Sequence, residues 1–426
     1  MKTELIKYDK ADGAYYKIDH PSGVTVFYYP MPGKSKSAAM IATKFGSINR
    51  TFRKFDSDEW MTVPDGIAHF LEHKLFEGPQ GSAFDFYAKT GAKANAYTSN
   101  DKTAYYFVTA DHFYESLEIL LRFVKNPYFT KENVEKEKGI IGQEIKMYED
   151  DASWCGYLAL TKALYKQHPI RIDIAGTTQT IQGITDTMLY DCYRVFYNNS
   201  NLSLFIAGDL DIDKIISVCD EMLPTEKKIR IEQTIPQDPE QAYQKRTELA
   251  MDISRPQFFI GIKDPAANSL TPRHEICVKL LVDCLFGEAS DFYRETYQAG
   301  WINAEFSAGY ESGVGFGFVI FNGESDVPDK VFDKIEKIVN EFSEADIDKA
   351  TFLRLRNAYY GDMLCNLDSA ASLVNRFLHF RQLDGDVFSA LRALESIELS
   401  DIVRTGRELL KADRMALSVV KVKEGR

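Results

Sequence analysis

Apolar and polar residues alternate over Gly23 to Tyr29 and over Ala38 to Phe45, the period of strands with one buried face. A clearer alternation runs from Ala92 to Thr98, breaks at Ser99-Asn100-Asp101 and resumes from Thr103 to Thr109, which predicts a hairpin. Helical periodicity covers Asp65 to Glu77, Phe113 to Lys125 and Lys131 to Tyr148. Leu202 to Ala207 reads as a further strand that closes at Gly208-Asp209. The stretch from Leu223 to Ala242 is polar and carries Pro224, Pro236 and Pro239, the composition of an interdomain linker.

Beyond that linker the pattern repeats. AFDFYAKTG at 83–91 is echoed by ASDFYRETYQAG at 289–300, each preceded by a Leu-Phe pair (Leu75-Phe76 and Leu285-Phe286). Each is also followed by an aromatic-rich strand pair. A shared order of helix, short helix and hairpin predicts an α+β fold of two homologous repeats, each an antiparallel-rich sheet packed with helices. The expected division is 1–225 for the first repeat, 226–245 for the linker and 246–426 for the second.

Composition narrows the options. Of 426 residues, 45% are hydrophobic, and 63 acidic side chains against 51 basic ones leave a net charge of −12. That balance argues against nucleic acid as a partner, because phosphate binding needs a basic surface. No run approaches the ~18 apolar residues of a membrane helix. The first twenty residues mix charges throughout, without the apolar centre of a signal peptide. Six scattered cysteines with no CxxC pair read as reduced thiols, so a cytoplasmic location is expected.

The sharpest chemical signal is His69-Phe70-Leu71-Glu72-His73. At ~100° per residue, His69, Glu72, His73 and Phe76 share one helix face, while Ile67, Phe70, Leu71 and Leu75 share the opposite one. Two imidazoles at i and i+4 can both reach one zinc ion at ~2.0–2.1 Å. Glu72 is better placed to hold a water than to complete the tetrahedron. The order H-x-x-E-H is the signature of inverted zinc peptidases. Two surface histidines on an amphipathic helix would give the same pattern, so a third ligand is required.

The helix from Lys131 supplies candidates. Its expected apolar stripe is Val134, Glu137, Ile140, Ile141, Glu144, Ile145 and Tyr148, with Thr130 as N-cap. Two glutamates inside such a stripe need compensation by a metal or a hydrogen-bond partner. Glu137 and Glu144 are two turns apart, so one can ligate while the other supports the site.

With these residues in view the chain resembles the pitrilysin/insulinase family, which includes the mitochondrial processing peptidases. The resemblance rests on HFLEHKLFEG (His69 to Gly78), GAKANAYTS (Gly91 to Ser99), EKEKGIIGQEI (Glu135 to Ile145) and the stretch from Gly176 to Asp209. It implies one Zn2+ per chain held by His69, His73 and Glu144, with Glu72 as catalytic base and Glu137 as supporting acid. It also implies a zinc-dependent endopeptidase acting on unfolded peptides or leader-like segments. Asn95, Ala96, Tyr97 and Thr98 resemble the family's edge strand, which adds an extended peptide by backbone pairing. Aligning Leu285-Phe286 with Leu75-Phe76 puts Lys279, Val282 and Asp283 where the first copy has its motif, so the second repeat lacks those ligands. Family members supply an Arg and a Tyr from the second half to grip substrate. Arg294 matches the Arg, but Trp301 stands at the Tyr position. A chain of this length corresponds to half of the family's clamshell, which implies a homodimer or a pairing with a paralogous subunit. The competing implication is a non-catalytic structural subunit of such a complex. Relatives of that kind usually lose ligands, and this chain keeps them all.

Overall fold

A computed structural model describes residues 1–11, 13–266 and 270–423. Two compact units emerge, each formed from three chain segments. The first comprises Met1–Ile145, Asp173–Ile235 and Leu364–Arg381; the second comprises Lys146–Ile172, Pro236–Met363 and Gln382–Arg426.

The first unit is built on seven strands: β1 (Lys2–Tyr8), β2 (Gly13–Asp19), β3 (Thr25–Pro30), β4 (Ser37–Thr43), β5 (Lys93–Thr98), β6 (Thr103–Thr109) and β7 (Leu202–Gly208). Their order across the sheet is β1-β2-β3-β7-β4-β6-β5. Only β3 and β7 pair in parallel. Helices α1 (Ile67–Leu75), α2 (Ala83–Thr90), α3 (Phe113–Lys125) and α4 (Lys131–Glu149) belong to this unit up to Ile145. One apolar core joins sheet to helices, with Ile41, Phe45, Tyr105 and Phe107 from strands and loops meeting Phe70, Leu71, Leu117 and Leu121. The hairpin expected at 92–98 and 103–109 is the β5–β6 pair, in register Ala96 opposite Tyr105.

The second unit repeats the design. It contains α5 (Ala152–Leu164), β8 (Arg246–Met251), β9 (Gln257–Lys263), α6 (Pro272–Phe286), α7 (Asp291–Gln298), β10 (Ser307–Gly313), β11 (Phe316–Glu324), α8 (Lys349–Asn366, up to Met363) and β12 (Met415–Val422). The sheet order is β8-β12-β9-β11-β10, with β8 and β12 parallel and the other pairs antiparallel. This reproduces β3-β7-β4-β6-β5 strand for strand and direction for direction. The α+β duplication expected from the two DFY segments is therefore present, those segments forming α2 and α7.

All seven strands of the first sheet precede residue 225 and all five of the second begin at residue 246 or later. Two helices cross that division. α5 packs on the second sheet, where Leu160 and Leu164 join Phe259, Phe316 and Phe318. Gly156 lets it approach closely, because a Cβ there would lie 2.2 Å from the Phe259 ring. Conversely α9 (Ala370–Gln382) belongs to the first unit up to Arg381, with the Phe377 ring 4.9 Å from Tyr15 and 6.1 Å from Phe205. In the proline-bearing stretch, Gln233–Thr234 pairs with Thr51–Phe52 and stays with the first unit, and the change of unit falls at Ile235-Pro236.

Candidate metal centre

The start of α1 is fixed by two glycines. Gly66 precedes the helix at φ 93° and Gly176 sits at φ 74°. A Cβ on Gly66 would lie 2.3 Å from the Ala175 carbonyl oxygen, and one on Gly176 would lie 2.4 Å from that of Asp65. Only glycine permits this crossing of backbones. From there the helix buries Ile67, Phe70, Leu71 and Leu75 in the core, as the pattern predicts, and turns His69, Glu72 and His73 to one side. Phe76 departs from the expected face. It enters the core instead, stacked on Phe84 at 4.5 Å and on Phe123 at 4.9 Å.

Thr130 caps α4 as expected, its Oγ1 accepting from the Asn133 N–H at 3.2 Å. The buried stripe is Val134, Glu137, Lys138, Ile141 and Ile145. Ile140 does not belong to it and is 47% exposed. Its direction differs from that of Ile141 by the ~100° helical step, which carries it off the core.

These two helices bring the anticipated residues together. His69 Nε2 lies 3.7 Å from Glu144 Oε1, and His73 Nε2 lies 3.7 Å from Glu144 Oε2. Ligand atoms of His69, His73 and Glu144 all fall within 4.8 Å of one another. Among the described residues, no other group of three or more His, Cys, Asp or Glu side chains converges in this way. Two tetrahedral zinc ligands at ~2.0–2.1 Å sit roughly 3.4 Å apart. The observed spacing is therefore too long for a hydrogen bond and close to that of donors sharing one ion. His69 Nδ1 is buried with no hydrogen-bond partner among the described residues. Burial, followed by the nearby His73, pushes the His69 imidazole down to about 3, so it stays neutral with a lone pair to offer. Two imidazoles and a carboxylate are the donor types zinc takes, and this set fits it.

Glu137 is buried and bonds His73, whose Nδ1–H donates to Oε1 at 3.1 Å. Burial alone would raise the Glu137 carboxyl; the His73 bond and the Lys74 charge outweigh it and hold it below the usual range. Burial likewise opposes charge on His73, but its bond to Glu137 and the carboxylates around it raise the imidazole overall. Glu72 is buried on α1 between the two histidines, and burial raises its carboxyl despite a hydrogen bond from Thr98 Oγ1 to Oε2 at 2.7 Å. Lys74 is a polar group at this centre that sequence reasoning passed over, and Thr98, read from sequence only as part of the edge strand, is also tied to Glu72. The signal for Thr98 was its place at the end of the strand carrying Asn95, Ala96 and Tyr97. Nothing in the helical pattern singles out Lys74.

β5 is an edge strand, so Asn95, Ala96 and Tyr97 lie on the side of the sheet where β6 is their only strand neighbour among the described residues. Asn95 Oδ1 accepts from the Ala96 N–H at 2.8 Å, and the Tyr97 ring sits 6.4 Å from Tyr106. Arg294 lies in the second unit on α7, exposed and paired with Asp291. Trp301 lies beyond that helix, with the Lys330 ammonium 5.6 Å above its ring. On α6, the counterpart of α1, Lys279 pairs with Glu275 and the Asp283 carboxyl is raised by burial. No helix among the described residues is long and apolar enough to cross a membrane.

Comparison with known proteins agrees with this architecture. Residues 61–178 match the insulinase (peptidase family M16) model, and residues 183–359 match that of the peptidase M16 inactive domain. The chain is 37% identical to the uncharacterized zinc protease YmfH of Bacillus subtilis (strain 168) over 421 residues, covering 97% of this chain and 98% of that one. It also resembles the crystal structure of an M16-like peptidase from Alicyclobacillus acidocaldarius, with TM-score 0.89, 33% identity and 99% of each chain covered. A protease from Helicobacter pylori shares the fold at TM-score 0.83 and 17% identity, with 96% of this chain and 99% of that one covered. The chain belongs to the insulinase family, peptidase family M16.

Proposed function

We propose that this chain is a zinc-dependent endopeptidase of extended, unfolded peptides. In this reading His69, His73 and Glu144 hold the ion, Glu72 is the general base and Glu137 positions His73. The observation that carries it is the Glu144 carboxylate facing both Nε2 atoms at 3.7 Å across an otherwise unexplained gap.

A bound zinc ion supplies Lewis-acid polarisation of the scissile carbonyl and acidifies water at neutral pH. The chain's own residues do the rest. His69 is held neutral by burial, and His73 is turned by Glu137 so that its Nε2 faces Glu144. Glu72, with a raised carboxyl, accepts a proton from the attacking water and returns it to the departing amine. Thr98 fixes one Glu72 oxygen and leaves the other for that exchange. β5 offers its outer backbone edge at Asn95, Ala96 and Tyr97 to the peptide, the Asn95 side chain giving up the Ala96 N–H, a tolerant mode of recognition that suits broad specificity. Arg294 grips substrate from the second repeat. The working form is a dimer, with a second copy or a paralogous subunit. The absence of any disulfide among the six cysteines favours a reducing cytoplasm.

The test is cleavage of quenched unstructured peptides by the purified chain, with and without chelator, beside Glu72→Gln. The reading expects chelator-sensitive cleavage, and a variant that keeps zinc and loses turnover. A Glu72→Gln protein that still cleaves would overturn it.

A further inference from the structure

We propose that Lys74 is a positioning residue of the metal centre, holding Glu137 in the orientation that aims His73 at the ion. This inference rests on the zinc reading above and extends it to a residue outside the H-x-x-E-H pattern.

Lys74 follows His73 on α1, yet its side chain is fully buried, at 0% exposure. A lysine is rarely enclosed without charge partners. Two carboxylates provide them. Lys74 Nζ donates to Glu137 Oε2 at 3.3 Å, and it also donates to Glu77, just beyond the helix end. The other Glu77 oxygen lies 3.5 Å from Lys136 Nζ, one residue before Glu137 on α4. Glu137 thus has its two oxygens divided, Oε2 to the lysine and Oε1 to His73 Nδ1 at 3.1 Å.

That division fixes orientation. A carboxylate bound at one oxygen can rotate about its last torsion and sample several directions. Bound at both, it presents Oε1 to Nδ1 in one direction, which fixes the ring so that Nε2 faces Glu144. Lys74 also supplies a counter-charge for the buried Glu137 carboxylate. The chain Lys136–Glu77–Lys74–Glu137–His73 therefore ties α1 to α4, from an exposed end at Lys136 to the buried Lys74–Glu137 pair. His69, Glu72 and His73 show which face of α1 carries chemistry. Lys74 works from the buried side of the same helix.

The experiment compares zinc affinity, by competition with a calibrated chelator, for wild type, Lys74→Met, Glu137→Gln and the double variant. Methionine keeps the length of the buried stem without the ammonium. Lys74→Met is expected to weaken zinc about tenfold or more, the usual effect of removing such support. In the Glu137→Gln background the same change is expected to cost less than about twofold, because the lysine acts through that carboxylate. Equal affinity in Lys74→Met and wild type, or effects that multiply in the double variant, would overturn the proposal. In either case wild-type zinc binding stands, whereas wild type that binds no zinc would defeat the functional reading itself. Should Lys74→Met fail to fold, 15N spectra of the wild type decide. The Lys74 ammonium signal should move on zinc addition in step with the His73 ring nitrogens, and a stationary signal would contradict the proposal.

Discussion

Thr98, the last residue of the edge strand β5, donates a 2.7 Å hydrogen bond to Glu72 on α1. The strand assigned to hold substrate thus also holds the residue assigned to move the proton. Hydrogen bonds to charged groups are worth ~1.5–3 kcal/mol. Thr98→Ala is expected to lower kcat about tenfold, with zinc content unchanged. Steady-state kinetics on a quenched peptide checks this, and an unchanged kcat would show that Glu72 is oriented by other contacts.

The crossing of Gly66 and Gly176 predicts a structural cost. Gly66→Ala must either abandon its φ of 93° or push against Ala175, whose oxygen would lie 2.3 Å from the new methyl. Strain of this kind costs ~1–3 kcal/mol, so the variant should unfold at lower denaturant by about that amount. Because the glycine sets the start of α1, zinc affinity should fall with it. Chemical denaturation and metal competition on the same sample measure both.

Acid stability turns on His168. Its Nδ1 accepts from the Ile170 N–H at 3.1 Å and its Nε2–H donates to the Val314 carbonyl at 3.1 Å, an arrangement only the neutral ring can make. Burial pushes the imidazole down to about 4, against about 6.5 in an unfolded chain. Between those values the unfolded chain binds the extra proton, so stability falls as pH drops from 6.5 towards 4. The contribution is about 3 kcal/mol at full extent. His168→Gln should flatten the slope of unfolding free energy against pH in that window, and an unchanged slope would exclude His168 as its source.

Metal should stabilise the fold by mass action, since the ligands come from two helices that unfolding separates. Free zinc at 100 times its Kd adds ~2.7 kcal/mol. Calorimetry with and without chelator is expected to show a higher Tm in the zinc-loaded protein. His73→Ala should lose that increment.

Much of this site was legible because its residues obey simple periods. His69, Glu72 and His73 fall together at ~100° per residue, and Glu137 and Glu144 stand out as acids seven apart in an otherwise apolar helical stripe. The β5–β6 hairpin was legible from its alternation of two. Lys74 was not, because a lysine inside an amphipathic helix ordinarily reads as solvated, and only three-dimensional packing reveals its two carboxylate partners. Phe76 and Ile140 were misplaced, the first because an aromatic stack draws it inward and the second because one helical step separates it from Ile141. The exchange of α5 and α9 was hidden as well. Their apolar faces announce burial but not which of two similar sheets will cover them.

The account stands or falls on an ion between α1 and α4. Anomalous diffraction at the zinc edge, from crystals of the zinc-loaded protein, tests this most directly. It should reveal one peak per chain, about 2.0–2.2 Å from the imidazoles of His69 and His73 and from the carboxylate of Glu144. A peak elsewhere, or no peak with Glu144 turned away from both histidines, would contradict it.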